Sequence, residues 1–163
     1  MDQVQYKIAS PIGPLYLVAS PKGLRGVGWK KQSAQLKKSL NRSFTQEKIL
    51  DDARIQLTEY FGGKRKRFDI PFDLEGTKFQ KQVWDGLSKI PFGKTVAYKD
   101  IARGIKNPKA VRAVGSANGK NPVCVMIPCH RVIAADGSIG GYAGGIGVKQ
   151  KLLKLEGISK FTG

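Results

Sequence analysis

Apolar residues keep two different periods in this chain, and the change from one to the other limits what it can fold into. Over the first thirty residues they alternate with polar ones. Val4-Gln5-Tyr6-Lys7-Ile8 is broken by Ser10-Pro11-Ile12-Gly13-Pro14 and resumes as Leu15-Tyr16-Leu17-Val18-Ala19, the two-residue period of a half-buried strand. Ser20-Pro21-Lys22-Gly23 has proline second and glycine last, as a tight turn requires. A third strand is expected from Leu24 to Trp29, with antiparallel pairing throughout. Beyond Thr77 the spacing becomes three and four. Phe79, Val83, Leu87 and Ile90 form one stripe of a helix, with Thr77 as its N-cap and Pro91 and Gly93 as its stop. The expected class is α/β (α+β): a small antiparallel sheet with a helix, then a mainly helical part.

Between these regions, Glu47 to Phe61 reads as a helix (Ile49, Leu50, Ala53, Leu57, Tyr60, Phe61) ended by Gly62-Gly63. Lys30 to Asn41, with Leu36 and Leu40 one turn apart, is either a weak amphipathic helix or a solvated loop. Phe68 to Leu74 alternates again and is expected as an edge strand, because Pro71 cannot donate to a ladder. Glu75-Gly76-Thr77 reads as a joint, which divides the chain into residues 1–75 and 76–163.

Charge narrows the partners. The 163 residues hold 29 Lys and Arg against 12 Asp and Glu, a net +17, which attracts polyanions, nucleic acid first. The first 75 residues carry 14 basic and 8 acidic side chains and the remainder 15 and 4, so the polyanion is expected to meet mainly the second part. Lys64-Arg65-Lys66-Arg67 is tempting as a contact, but such runs are usually solvated. No run of 18 apolar residues exists to span a bilayer, and the first residues lack a signal-peptide pattern. With two cysteines and no disulfide framework, a reducing compartment is expected, cytoplasmic with access to the nucleoid, or nuclear in a eukaryote.

Within the second part, Tyr98 to Ile105 is expected as a short helix with Ile101, Ala102 and Ile105 inward. Asn107 is expected to cap a second helix starting at Pro108 and running to about Asn118, with Val111 and Val114 as its apolar side. Two short helices with so brief a joint have the proportions of a helix-turn-helix, and Lys106, Lys109, Arg112 and Lys120 suit DNA. Val148 to Glu156 reads as a last amphipathic helix (Val148, Leu152, Leu155), with Gly157 as its stop.

The chemistry concentrates in Ile127-Pro128-Cys129-His130-Arg131-Val132-Ile133. His130 is the one histidine of the chain and follows one of its two cysteines. At a pKa of ~8.5 a thiol is only a few per cent ionised near pH 7, and an imidazole that takes its proton raises that fraction. The plain alternative is a buried cysteine beside a core histidine. Val132 to Ala134 is expected as a strand. Asp136 to Gly147 then holds six glycines and Tyr142, a loop able to bring backbone N–H groups to a ligand, though it lacks a phosphate-loop pattern. Glu156, or else Asp136, is the nearby carboxylate able to orient His130. Cys124, Cys129 and His130 lack the fourth ligand of a structural zinc site, so no metal is expected.

The run Arg112-Ala113-Val114-Gly115, Asn121-Pro122, Ile127-Pro128-Cys129-His130-Arg131-Val132, Gly141-Tyr142-Ala143-Gly144-Gly145 and Leu155-Glu156-Gly157, with Ile90-Pro91-Phe92-Gly93 and Tyr98 upstream, resembles the O6-alkylguanine-DNA alkyltransferases. The match covers most of residues 77–157; residues 1–75 resemble the family's variable α/β domain more weakly.

The resemblance implies repair of double-stranded DNA by irreversible, single-turnover transfer of an alkyl group from guanine O6, and from O4 of alkylated thymine, to Cys129. No cofactor is involved, and the protein would act as a monomer. It implies a water between Cys129 and His130, Glu156 holding the imidazole, Asn121 coupling helix to thiol, and Tyr98 giving a proton towards the base. By the same resemblance Arg112 fills the space left by an extruded base, with Lys109, Ala110, Val111 and Lys120 along the DNA. Val132, Tyr142, Ala143 and Gly144 shape the pocket. Ala143 stands where some relatives have Ser, which removes one hydrogen bond to the base. Asn118 stands where some have an apolar residue, which is expected to alter how the helix fills the groove. The family's zinc ligands are absent from residues 1–75. Three rivals remain: a non-enzymatic binder that flips alkylated bases for other repair factors, a basic thiol hydrolase, and a DNA-binding regulator.

Overall fold

The computed structural model describes residues 3–31 and 44–160 and groups the chain into two compact units, Met1–Glu75 and Gly76–Gly163. The expectation for Lys30 to Asn41 falls almost entirely outside the described residues.

In the first unit, β1 (Val4–Ile8), β2 (Leu15–Ser20) and β3 (Gly23–Gly28) form an antiparallel sheet in that order. Val4 to Ile8 pair with Ala19 to Leu15, and Ser20 pairs with Gly23 across the two-residue turn Pro21-Lys22. The central strand β2 is buried along nearly its whole length. Helix α1 (Phe44–Phe61) starts three residues before the expected Glu47 and packs on β2 and β3. Its buried Gln46, Ile49, Leu50, Ala53, Leu57 and Tyr60 recur at three and four. A Schellman cap ends it: Gly63, at φ 74, donates to Tyr60 O, and Lys64 to Glu59 O. The block Lys64–Arg67 is largely exposed, with Arg65 paired to Glu59 at 3.2 Å.

The edge strand expected over Phe68–Leu74 does not form; one parallel bridge, Leu24 to Phe72, takes its place. Leu24 N donates to Pro71 O and Asp73 N to Leu24 O. Pro71 offers no N–H to continue a ladder. Side chains hold the segment instead, since Asp73 accepts from Ser20 Oγ at 2.6 Å and from Arg25 at 3.1 Å.

The second unit begins with α2 (Lys78–Ser88). Thr77 and Gln80 form a reciprocal capping box at 3.1 and 3.0 Å. The helix buries Val83, Trp84 and Leu87, and Trp84 Nε1 donates to Ala117 O at 2.9 Å. That bond fastens α2 to α4 (Val111–Gly119). Before α4 lies α3 (Tyr98–Gly104), one residue shorter than expected.

Helix α4 does not start at Pro108. Residues 107–110 form a turn closed by Ala110 N to Asn107 O at 3.0 Å, where Pro108 takes the second position that its fixed φ also suits. Asn107 is therefore no cap, and Ala110 is the residue before the helix. Val111 is 38 % exposed rather than part of the inner face, where Val114, Ala117 and the polar Asn118 are buried.

Strand β4 (Val96–Ala97), which periodicity did not suggest, pairs in parallel with β5 (Val132–Ile133). A 3-10 turn, Cys129–Arg131, precedes β5. Helix α5 (Ile146–Leu155) starts two residues before Val148 and buries Lys149, Leu152 and Leu153, while Leu155 is 36 % exposed. No described helix is long and apolar enough to cross a membrane.

Gly23 leaves no room for a side chain: a Cβ there would lie 2.6 Å from Pro71 O and 2.7 Å from Phe72 C. Gly23→Ala is expected to destabilise the protein by about 1–3 kcal/mol, the cost of overpacking. A urea unfolding midpoint unchanged from wild type would contradict this packing.

Candidate active site

The 3-10 turn directs three consecutive side chains inward, since Cys129, His130 and Arg131 are all buried. The carboxylate that meets them ends α5. Glu156, itself buried, lies 2.6 Å from His130 Nε2 and accepts from Arg131 Nε at 2.7 Å and Nη2 at 3.2 Å. Gly93 N donates to the same carboxylate at 3.3 Å, and Arg131 Nη1 donates to Ile90 O at 2.7 Å. Glu156, not the exposed Asp136, is thus the acid beside the imidazole.

A carboxylate only accepts, so the 2.6 Å contact places the ring proton on Nε2 and leaves Nδ1 with a bare lone pair. Nδ1 is buried with no hydrogen-bond partner among the described residues. Burial pushes the His130 pKa below its ordinary value; the bond to Glu156 opposes that shift only in part. The histidine is neutral at pH 7 and holds an unused proton acceptor.

Asn121 organises the chain leading to the turn. Its Nδ2 donates to Ile127 O at 2.7 Å, and its Oδ1 accepts from Val123 N at 3.0 Å. Residues 123–127 are buried, but as a turn rather than a strand, with Ile127 N donating to Val123 O at 3.0 Å. Val125 sits at φ 74, an unfavourable conformation for a β-branched residue that costs on the order of 1–3 kcal/mol. This turn brings Cys124 against Cys129.

The Cys129 thiol is held below its usual pKa, foremost by the Cys124 thiol donating towards it and further by the Asn121 amide and the Lys149 ammonium, against the effect of burial. Cys124 shifts the opposite way, through the same hydrogen bond and its burial. Cys129 is the sulfur that ionises. The groups supporting its negative charge are a second thiol, an amide and a lysine; His130 is not among them.

Lys149 is wholly buried, donating to Val132 O at 2.7 Å and Gly141 O at 3.3 Å. Burial brings its pKa down to about 8, partly countered by the Cys129 charge. The sequence analysis assigned Lys149 no role, although Lys149, Leu152, Leu153 and Glu156 follow the i, i+3, i+4, i+7 spacing of a buried face. Arg131 was likewise read only as part of the motif.

Cys129 opens on a cavity of about 240 Å³ that Tyr98, Asn121, Cys124, Tyr142 and Ala143 also line. That lies a little below the ~300–1,000 Å³ of drug-sized ligand pockets. Pairing of β4 with β5 sets Tyr98, the residue after β4, at its wall. Burial and the Cys129 charge raise the Tyr98 pKa, so its phenol keeps its proton. Gly140, at φ 73, lets the glycine loop close over Tyr98 and Lys149, with its Cβ position 3.4 Å from the phenol oxygen and 3.6 Å from Nζ. Val132 and Gly144 do not line the cavity; Val132 is buried behind it and contributes its carbonyl to Lys149.

Helix α4 forms another wall through Gly115, Asn118 and Gly119. Asn118 therefore faces the cavity, buried and with Oδ1 unpartnered among the described residues. Lys109, Val111, Arg112 and Lys120 are exposed, and Ala110 partly so. A larger cavity of about 480 Å³ between α2 and α3 holds neither thiol nor imidazole, so volume alone is a poor guide here.

A thiol opening on a cavity walled by α4, next in the chain to a buried imidazole–carboxylate pair, defines a protein with a reactive-cysteine site. The family description "6-O-methylguanine DNA methyltransferase, DNA binding domain" matches residues 78–158, and "6-O-methylguanine DNA methyltransferase, ribonuclease-like domain" matches residues 4–74. A methylated-DNA–protein-cysteine methyltransferase of Methanosarcina acetivorans is 46% identical over 149 residues, covering 91% of this chain and 94% of that one. The protein of the same name from Mycobacterium tuberculosis is 44% identical, covering 91% and 89%. A crystal structure of Mycobacterium tuberculosis OGT in complex with DNA superposes with a TM-score of 0.79 at 40% identity, covering 96% of this chain and 92% of that one. The chain belongs to the 6-O-methylguanine DNA methyltransferase family.

Glu156→Gln leaves the Arg131 guanidinium buried without a counter-charge, and breaking such a pair costs about 3–5 kcal/mol. Urea unfolding at pH 7 is expected to show a loss of that size; a loss under ~1 kcal/mol would contradict the arrangement. His130 adds a pH dependence. Its folded pKa lies below the unfolded value of ~6.5, so the unfolded chain binds the proton first. The contribution is present above pH ~6.5 and lost as pH falls through the folded value. The wild-type urea midpoint is expected to drop from pH 7 to 5.5, and His130→Gln to flatten that drop.

Proposed function

We propose that the protein repairs double-stranded DNA by moving an alkyl group from guanine O6 to Cys129, once per molecule. The same thiol is expected to take the alkyl group from O4-alkylthymine. The carrying observation is the cavity of about 240 Å³ on which Cys129 and Tyr98 both open, with α4 as one wall. A base stacked in a duplex does not reach that sulfur, so it must rotate out, at a few kcal/mol. Arg112, exposed on the outer side of α4, is suited to occupy the space it leaves, while Lys109, Ala110, Val111 and Lys120 follow the DNA.

Proton movements follow from the protonation states. His130 Nδ1 takes the Cys129 proton through an intervening water, with Glu156 steadying the imidazolium that results. Cys124, Asn121 and Lys149 stabilise the thiolate. Sulfur attacks the alkyl carbon, the C–O bond breaks, and its electrons pass to the guanine ring. The Tyr98 phenol gives that ring a proton. Asn121 couples α4 to the thiol through the turn it ties down, and Gly141, Tyr142 and Ala143 form the loop wall beside the base. The S-alkyl product is a thioether that no activated water cleaves, so turnover stops. The protein acts as a monomer with no cofactor, in a compartment that keeps both thiols reduced.

Incubation with duplex oligonucleotide bearing O6-methylguanine is expected to place one methyl on the Cys129 peptide, with no more than one transfer per molecule. Cys129→Ala abolishes it. Tight binding to the lesion with an unmodified peptide would instead identify a damage binder. Arg112→Ala is expected to slow transfer from duplex at least about tenfold, ~1.4 kcal/mol, while sparing transfer from free O6-methylguanine base. Equal loss with both substrates would place Arg112 elsewhere.

A further inference from the structure

The base cavity holds two sulfurs where direct alkyl transfer needs one. Cys124 and Cys129 are the only cysteines of the chain, both are free, and both line the cavity. Their convergence is built into the backbone. Ile127 N bonds back to Val123 O at 3.0 Å, and Cys129 N to Ile127 O at 2.8 Å, so the five-residue step folds on itself. Val125 is held at φ 74 within that turn, and Asn121 pins both its ends. The Cys124 sulfur also approaches Asn121 O at 3.6 Å.

We propose that Cys124 is a resolving thiol: hydroperoxides convert the pair to a reversible Cys124–Cys129 disulfide, which closes the acceptor site and protects it from irreversible oxidation. Only the functional consequence rests on Cys129 being the alkyl acceptor. The Cys129 thiolate attacks the outer oxygen of the hydroperoxide, the O–O bond breaks, and the remainder leaves as an alcohol, or as water from hydrogen peroxide, taking up a proton. Cys129 is then a sulfenic acid. The Cys124 sulfur attacks that sulfur, its proton leaves with the hydroxyl as water, and the S–S bond forms. Two thiols lose two electrons and the peroxide gains them. A cavity open to a base admits a peroxide, and the neighbouring thiol intercepts the sulfenic acid before a second peroxide oxidises it further.

The test uses the whole protein and hydrogen peroxide, without DNA, so its outcome is separate from that of the methyl-transfer assay. Thiols titrated in denaturant are expected to fall from two to none while the protein stays monomeric on a non-reducing gel. The linked peptide is expected to be lighter by two hydrogens, and dithiothreitol to restore both thiols. In Cys124→Ser, with Cys124→Ala as a second variant, Cys129 is expected to proceed to sulfinic acid, which dithiothreitol does not reverse. Sulfinic acid on Cys129 of the wild type with Cys124 still reduced would overturn the proposal. So would a disulfide between molecules, or recovery by the variants equal to that of the wild type.

Discussion

One buried carboxylate carries the site. Glu156 accepts from His130, from two nitrogens of Arg131 and from Gly93 N, so the turn after the thiol, the loop after α2 and the end of α5 share one acceptor. The guanidinium supplies the counter-charge to the buried carboxylate, while burial keeps the imidazole neutral. A histidine paired with this carboxylate alone would be drawn towards its protonated form. Burial is what holds His130 neutral and available as a base, and the positive charges of Arg131 and Lys149 act in the same direction.

Sulfur chemistry and proton chemistry are separated in space. Donors from Cys124, Asn121 and Lys149 favour the Cys129 anion, whereas His130 turns its bonded nitrogen to Glu156 and keeps Nδ1 unused. The lysine is as important to the architecture as to the charge, since it joins the carbonyls of Val132 and Gly141 across the glycine loop. Removing the imidazole and removing the lysine therefore disturb different properties: where the thiol proton goes, and how readily it leaves.

Local chemistry in the sequence was a good guide wherever one short pattern decided the outcome. The sheet, the Pro21-Lys22 turn, the Thr77 cap and the apolar stripe of α2 all have that character. It failed where a residue suits two structures, as Pro108 suits a helix start and a turn, or where alternation met a missing donor at Pro71. On α5 the apolar residues Val148, Leu152 and Leu155 point to an inner face of which Leu152 is buried and Leu155 is not. The true inner face carries Lys149 and Glu156 with the leucines between them. Of the site, Cys129, His130 and Glu156 were legible as chemical types. The meeting of Cys124 with Cys129 was not, because it depends on a positive φ at Val125 that its residue type disfavours.

The 26 positions between His130 and Glu156 impose an order on synthesis. At roughly 5–20 residues per second, a growing chain waits ~1–5 s between making the imidazole and making the acid that seats it. Until then Arg131 and His130 lack the carboxylate that both bond to in the folded chain. Helices α3 and α4 precede both residues, although the strand that leads into α3 waits for its partner at Val132–Ile133. The imidazole is therefore seated only after the closing helix α5 has been made and its terminal acid has docked.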